Sequence, residues 1–179
     1  MRTNIFIFAV ILFSSCTNME QEVSALKKLQ VQLDAAETVF KTWDLDSMNL
    51  RKDQVTARLD SVSNFYTNRN LIMEMPVGLL MADFKNAGKA YKRIAGDYHR
   101  VKEELDFSKG QLIRMKEDME SGSMKQEQAS QYLSEESLAV KSVYDQVFKM
   151  DTIFMRSEKI YAEFTPQVDS LIATFKNSH

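Results

Sequence analysis

The stretch LMADFKNAGKAYKRIAGDYHRVKEELDFSKGQLIRMKEDM, Leu80 to Met119, decides the fold. Leu80, Phe84, Ala87, Tyr91, Ile94, Tyr98, Val101, Leu105, Ser108, Leu112, Met115 and Met119 follow one another in alternating steps of four and three, and all but Ser108 are apolar. That spacing returns each side chain to one stripe of a helix, so a run this long is a coiled-coil seam. The spacing predicts a helix over 77–120, on the order of 65 Å long at ~1.5 Å per residue.

The seam stops at Ser121-Gly122-Ser123. Gly122 suits the left-handed position that ends a helix. Ser123 with Gln126 has the spacing of a capping box for the next one. A second seam follows: Ala129, Leu133, Glu136, Val140, Val143, Val147, Met150, Phe154, Ser157, Tyr161, Phe164, Val168, Leu171 and Phe175. Tyr132, Ala139, Phe148, Ile153, Met155, Ile160 and Ile172 flank it and widen the apolar stripe, which implies more than one partner helix. The predicted helix covers 124–176. Pro166 falls inside it without shifting the phase, so a bend with the register kept is expected.

The N-terminal third is less regular. Leu26, Leu29, Leu33, Ala36, Phe40 and Trp43 form one seam, and Val55, Leu59, Val62 and Tyr66 form another out of phase with it. Asp44-Leu45-Asp46-Ser47 lies between them, and Asp and Ser are residues that start helices. Residues 68–78 (NRNLIMEMPVG) read as a turn. The expected fold is therefore all-α, an elongated antiparallel three-helix bundle with coiled-coil packing. Its helices are 18–66, broken near 44–47, then 77–120 and 124–176. The alternative folds 18–43 and 48–66 back on each other. Residues 20–176 form one domain.

Five glycines and two prolines in 179 residues agree with long helices, and a net charge of -2 does not advertise nucleic-acid binding. The first residues have a separate logic. Arg2 precedes the apolar run Ile5 to Phe13, then come Ser14, Ser15 and Cys16, the only cysteine. The run is too short to span a bilayer and has the layout of a secretory signal peptide. Small residues leading into a cysteine make a lipobox-like site, with Phe13 departing from the Leu commonest there. On this reading residues 1–15 are removed, Cys16 carries diacylglycerol and an acyl chain, and 16–19 form a short tether. Two or three chains make such an anchor stable where one is marginal. Loss of Arg2 leaves a net charge of -3, so the lipid is the whole attachment to an anionic membrane. The other reading is an ordinary signal peptide followed by an incidental free thiol.

The pieces FKTWDLDSMNL (40–50), ELDFSKGQLIRMKEDMESGSMKQEQASQYLSEE (104–136) and FTPQVDSLI (164–172) resemble a group of small helical lipoproteins of Bacteroidetes, over nearly the whole chain after Cys16. The resemblance implies a Gram-negative envelope and carries no catalytic or binding residue. Thr17, rather than Asp, follows Cys16, which favours the outer membrane on its periplasmic side. The acids Glu20 and Glu22 are a weak version of a surface-export signal.

Catalytic and metal chemistry find little support. His99 and Glu103 share a helix face but make an incomplete metal site, and His179 stands alone. Met73, Met75 and Met81 offer thioethers that suit Cu(I) or simple packing at a turn. Ser24 and Lys27 fit S-x-x-K without its companion motifs, and Leu26 between them belongs to a seam. The acid pairs Glu103-Glu104, Glu117-Asp118 and Glu135-Glu136 read as solvated faces, with Glu136 in a seam as a register-setting polar residue. The basic pairs Lys27-Lys28, Arg51-Lys52 and Lys92-Arg93 read as interleaved with acids. Tyr91, Tyr98 and Trp43 read as core. The sequence thus predicts a non-enzymatic, lipid-anchored envelope protein, a spacer or protein-interaction module without a cofactor. Its partners are the membrane through Cys16 and an unknown protein, with self-association along a helix face as a variant and no nucleic acid. The alternative is an extracytoplasmic small-ligand or metal-binding lipoprotein, with a pocket near the helix break or the Met73–Met81 turn.

Overall fold

A computed structural model describes residues 19–177; Cys16, the leader and His179 lie outside the described residues. The described chain is all-α, with α1 Glu20–Phe40, α2 Leu45–Asn68, α3 Met75–Glu120 and α4 Gln126–Asn177. Four helices form, not the three expected, because the break in the first segment is complete. Asp44 has extended backbone (φ -104, ψ 107), and its carboxylate accepts the N–H groups of Asp46 at 3.0 Å and Ser47 at 3.3 Å. The Ser47 hydroxyl donates to the same carboxylate at 2.6 Å. A cap satisfies donors that a continuous helix would have bonded internally, so it ends one helix and starts another. The gap is 41–44 rather than 44–47, since the capping residue itself stands outside the new helix.

The hairpin alternative is not what forms. α1 and α2 each pack on α3 and α4 and not on each other. Their register against α4 is nearly constant. Glu22 meets Ser130, Trp43 meets Asp151, Gln54 meets Tyr161 and Arg58 meets Asp169, separations of 108, 108, 107 and 111 residues. α1 and α2 therefore run in succession parallel to α4, while α3 runs antiparallel to all three. The break advances the chain about as far as the matching part of α4, so the seams stay aligned.

Loop chemistry explains the reversals. Gly122 takes φ 71 after α3, where a side chain would be strained, and its N–H bonds Met119 O at 3.2 Å. The capping box expected of Ser123 and Gln126 does not form: Ser123 pairs with Ser121, and the Lys125 N–H donates instead to Gln128 Oε1 at 3.3 Å. α4 consequently starts at Gln126 rather than 124. Between α2 and α3, Asn70 takes φ 52, which Asn tolerates better than most residues, and Pro76 sits in the first turn of α3. Its missing N–H costs nothing there, so α3 begins at Met75, ahead of the expected 77.

The seams are the core. Ten of the twelve α3 seam positions are buried, and Leu80 and Tyr98 are half-buried. α4 continues through Pro166, with Phe164 half-buried and Val168 fully buried on either side, so the phase is kept. The Thr165 hydroxyl bonds Tyr161 O at 2.6 Å beside it. Tyr132, Ala139 and Met155, expected to widen the α4 stripe, are exposed. With three rods side by side, α4 has two neighbours and no third to cover those positions.

Candidate functional site

The candidate residues do not converge. Cys16 and His179 lie outside the described residues. His99 is exposed, its ring edge against Tyr98 at 5.6 Å, and Glu103 is exposed one turn on. Among the described residues, no group of three or more His, Cys, Asp or Glu is placed to hold a metal ion. Ser24 and Lys27 are exposed on α1. Met75 points to solvent, whereas Met73 is half-buried and Met81 buried, so the three thioethers do not gather. No described helix is long and apolar enough to cross a membrane.

A polar layer crosses the bundle beside the break. The Trp43 Nε1–H donates to Asp151 Oδ1 at 3.1 Å. The Tyr91 hydroxyl donates to Glu158 Oε1 at 2.8 Å, and Arg51 pairs with the same oxygen while its guanidinium lies 5.7 Å from the Tyr161 ring centre. Tyr161 is hydrogen-bonded to Gln54. Burial, then the Glu158 carboxylate, pushes the Tyr91 phenol far above its ordinary range, so it remains a donor. Each group here has a partner, and the layer ties α2, α3 and α4 together.

Two glutamates sit inside the α1 end. Glu22 accepts from Ser130 Oγ at 2.9 Å and Gln126 Nε2 at 3.2 Å, and its own backbone N–H with these donors holds it below the ordinary carboxylate value. Glu136, in the α4 seam, is pushed up by burial and by Glu135, against a smaller effect of Arg114. The register role expected of a polar seam residue falls to Glu22, whose Oε1 bridges two helices; Oε2 of Glu22 and Oε2 of Glu136 both lack a hydrogen-bond partner among the described residues.

The opening with the shape of a site is a groove of 820 Å³ between α2 and α3. Val55 and Leu59 of α2, Met81 of α3 and Met73 of the turn give it an apolar floor. Gly88 lets the helices close under it: a Cβ there would stand 2.8 Å from Val55 Cγ1. Lys52, Lys85, Lys89 and Lys92 stand over it with a single acid, Asp60. Sequence reading found the Met73–Met81 turn as a pocket location but took Lys92-Arg93 as interleaved with acids. Between Asp83 and Asp97 there are four basic residues and no acid, which was the available signal.

A second feature lies at the end of the bundle. Leu71, Ile72, Met75 and Leu79 are 50%, 93%, 78% and 59% exposed, all at the α2–α3 turn. Other exposed apolar residues, such as Val31, Phe107 and Leu138, are scattered along the rods. No family model, curated protein or solved structure matches the chain.

Proposed function

We propose that the protein is a lipid-anchored envelope protein, non-enzymatic, whose bundle is a spacer that holds an apolar contact tip away from the membrane. The observation that carries this reading is the placement of Leu71, Ile72, Met75 and Leu79. Glu22 meets the start of α4, so residue 19 and the Gly122 turn share one end of the bundle, and the apolar turn is at the other. The 46 residues of α3 separate the two ends by about 69 Å at ~1.5 Å each. A cluster of exposed apolar side chains at one point, rimmed by polar residues, is the usual mark of a protein contact. Lipid on Cys16, three residues before the described chain begins, leaves a tether of only ~3.6 Å per residue, so the anchor and the tip stay apart. The outer membrane, on its periplasmic side, is the address that Thr17 after Cys16 supports.

Incorporation of labelled palmitate into the wild type but not Cys16→Ser tests the anchor. A photo-crosslinking residue at position 72, with one at 138 near the opposite end as control, tests the tip in intact cells. One protein captured from position 72 alone, and less of it in Cys16→Ser, is expected. Equal capture from both positions would defeat the tip reading, and absence of label would defeat the anchor.

A further inference from the structure

We propose that the α2–α3 groove binds a single-chain amphiphile with an anionic head, its tail along the floor and its head at Lys89 and Lys92. This goes beyond the anchor and the tip and holds whether or not Cys16 is lipidated.

The first argument is charge. Some lysines on the rods are matched by acids one turn on: Lys102 with Asp106 at 2.6 Å, Lys116 with Glu120 at 3.7 Å, Lys141 with Asp145 at 2.5 Å. Lys85, Lys89 and Lys92 have no such partner, as Lys149 and Lys159 have none, but these three line one groove. They are spaced by four and three on one face of α3, and no ion pair forms to any of them among the described residues. Like charges one turn apart oppose the helix that carries them. In a chain of net charge -2, three stacked lysines facing a groove form a local field of opposite sign.

The second argument is polarity along the groove. Because α2 is antiparallel to α3, Leu59 and Ser63 lie opposite Gly78 and Met81, where Met73 closes the apolar end. Lys52 lies opposite Lys89 and Lys92 at the other end. Thr56 lies between them, and the lone acid Asp60 sits between Leu59 and Ser63 at the far end from Lys52, on the α2 side. An acidic peptide would need cations along its whole length; here they occupy the half from Lys85 to Lys92, and the half from Gly78 to Met81 has none, which matches a head and a tail.

The third argument is size. From Gly78 to Lys92 is about 21 Å at ~1.5 Å per residue. One acyl chain spans half of a ~30 Å hydrocarbon core, about 15 Å, which leaves room for a head. The 820 Å³ volume falls in the ordinary range for small-ligand sites. Lysine ammoniums act as point charges that accept either a carboxylate or a phosphate.

The test titrates the purified full chain with cis-parinaric acid, a fluorescent fatty acid, and with its uncharged methyl ester. Saturable binding of the acid at one per chain is expected, with the ester about tenfold weaker, the scale of a few partly screened charge contacts. Lys89→Glu with Lys92→Glu should remove the preference for the acid while leaving the ester unchanged; both residues are exposed, so folding is retained. Thr56→Trp, which fills the middle of the groove, should abolish binding of both. Displacement by palmitate or by lysophosphatidate supports the proposal and tells carboxylate from phosphate. Equal binding of acid and ester, displacement by neither competitor, or indifference to both the charge and the filling variants overturns it. So does binding to phosphatidylglycerol vesicles without binding of the monomeric acid, which would assign the lysines to a membrane surface instead.

Discussion

The α1 half and the α2 half of the bundle use the same partners in opposite proportion. α1 packs more heavily on α4 than on α3, whereas α2 packs on α3 and only lightly on α4. The α1 half is the more closed, with openings of 230, 260 and 300 Å³ against 820 Å³ in the other: Leu26, Leu33, Ala36 and Phe40 run into a continuous core with both long helices, and Lys109 reaches across to Glu37 at 2.6 Å. The α2 half has a smaller core of Val55, Val62, Tyr66, Met81, Phe84 and, from α4, Val168, with further contacts to α4 at its edge. Arg58 forks onto Asp169 at 2.8 and 3.1 Å, and Phe65 stacks on Phe175 at 3.6 Å. The difference shows what the break at 41–44 does. It lets one rod lean first on α4 and then on α3, and the change of lean leaves the α2 half with a groove and a bare tip.

Matched truncations should expose the contrast most strongly. Leu26 is 1% exposed in the closed half and should cost about 3–5 kcal/mol on replacement by alanine, through lost transfer energy plus a cavity that cannot collapse. Leu59 is half-buried at the groove, and its alanine variant should cost only about 1 kcal/mol, since solvent already reaches the site. Urea midpoints measure both; equal losses would show that the halves are packed alike.

A pair of glycines offers a test of opposite sign. At Gly88 an added methyl meets the stiff, branched Val55 at 2.8 Å, and Gly88→Ala should lose about 1–3 kcal/mol by overpacking, less up to ~1 kcal/mol returned by helix propensity. At Gly96 the space is open, so Gly96→Ala should raise stability by roughly 0.5–1 kcal/mol. Thermal melts that move in the same direction for both would mean that α2 does not press on α3 at Gly88.

Trp43 stands at the join between the halves, where the prediction is smaller. Trp43→Phe keeps an aromatic ring beside Phe40, whose centroid is 5.2 Å away, and loses the bond to Asp151. A cost of about 1 kcal/mol, beyond any loss of ring area, is expected for one hydrogen bond. Amide exchange should quicken at 41–48 more than at either helix centre. Uniform acceleration would mean that the indole is ordinary core rather than a pin for the join.

Sequence patterning carried the all-α class, both long seams and the existence of the break, because each is a short-range periodic signal. Ser108 and Ser157, polar members of the two seams, are buried with their neighbours, so periodicity outweighed residue type there. The count of helices was missed because Asp44 could terminate a helix or merely bend it, and its hydrogen bonds to Asp46 and Ser47 decide between those outcomes. The partner switch of α1 and α2 depends on which rod lies where, a long-range fact that no local pattern holds. The groove was partly legible. Its Met73–Met81 end and the acid-free run from Phe84 to Gly96 are in the chain, but only the antiparallel packing of α2 brings Lys52 and Leu59 opposite them.

The smallest and most particular contrast lies inside the closed half, between Glu22 and Glu136. Glu22 is held below its ordinary value of 4.5 by its backbone N–H, Ser130 and Gln126. A folded pKa lower than the unfolded one means that its carboxylate stabilises the fold fully above about 4.5 and that this contribution fades as pH falls through the lower folded value. Glu136 is displaced the other way by burial and Glu135. Its charge therefore works against the fold above the raised value, and protonation relieves that cost as pH falls. Glu22→Gln should accordingly lower stability at pH 7 and match the wild type at low pH, where both side chains are neutral. Glu136→Gln should raise it at pH 7 and likewise converge on acidification. Urea midpoints across pH 3 to 7 separate the two: a gap between either variant and the wild type that persists at the acid end would mean that shape, and not charge, distinguishes these glutamates. Opposite signs at neutral pH that vanish in acid would show that the closed half derives part of its closure from Glu22 and tolerates Glu136 only because neighbouring contacts outweigh it.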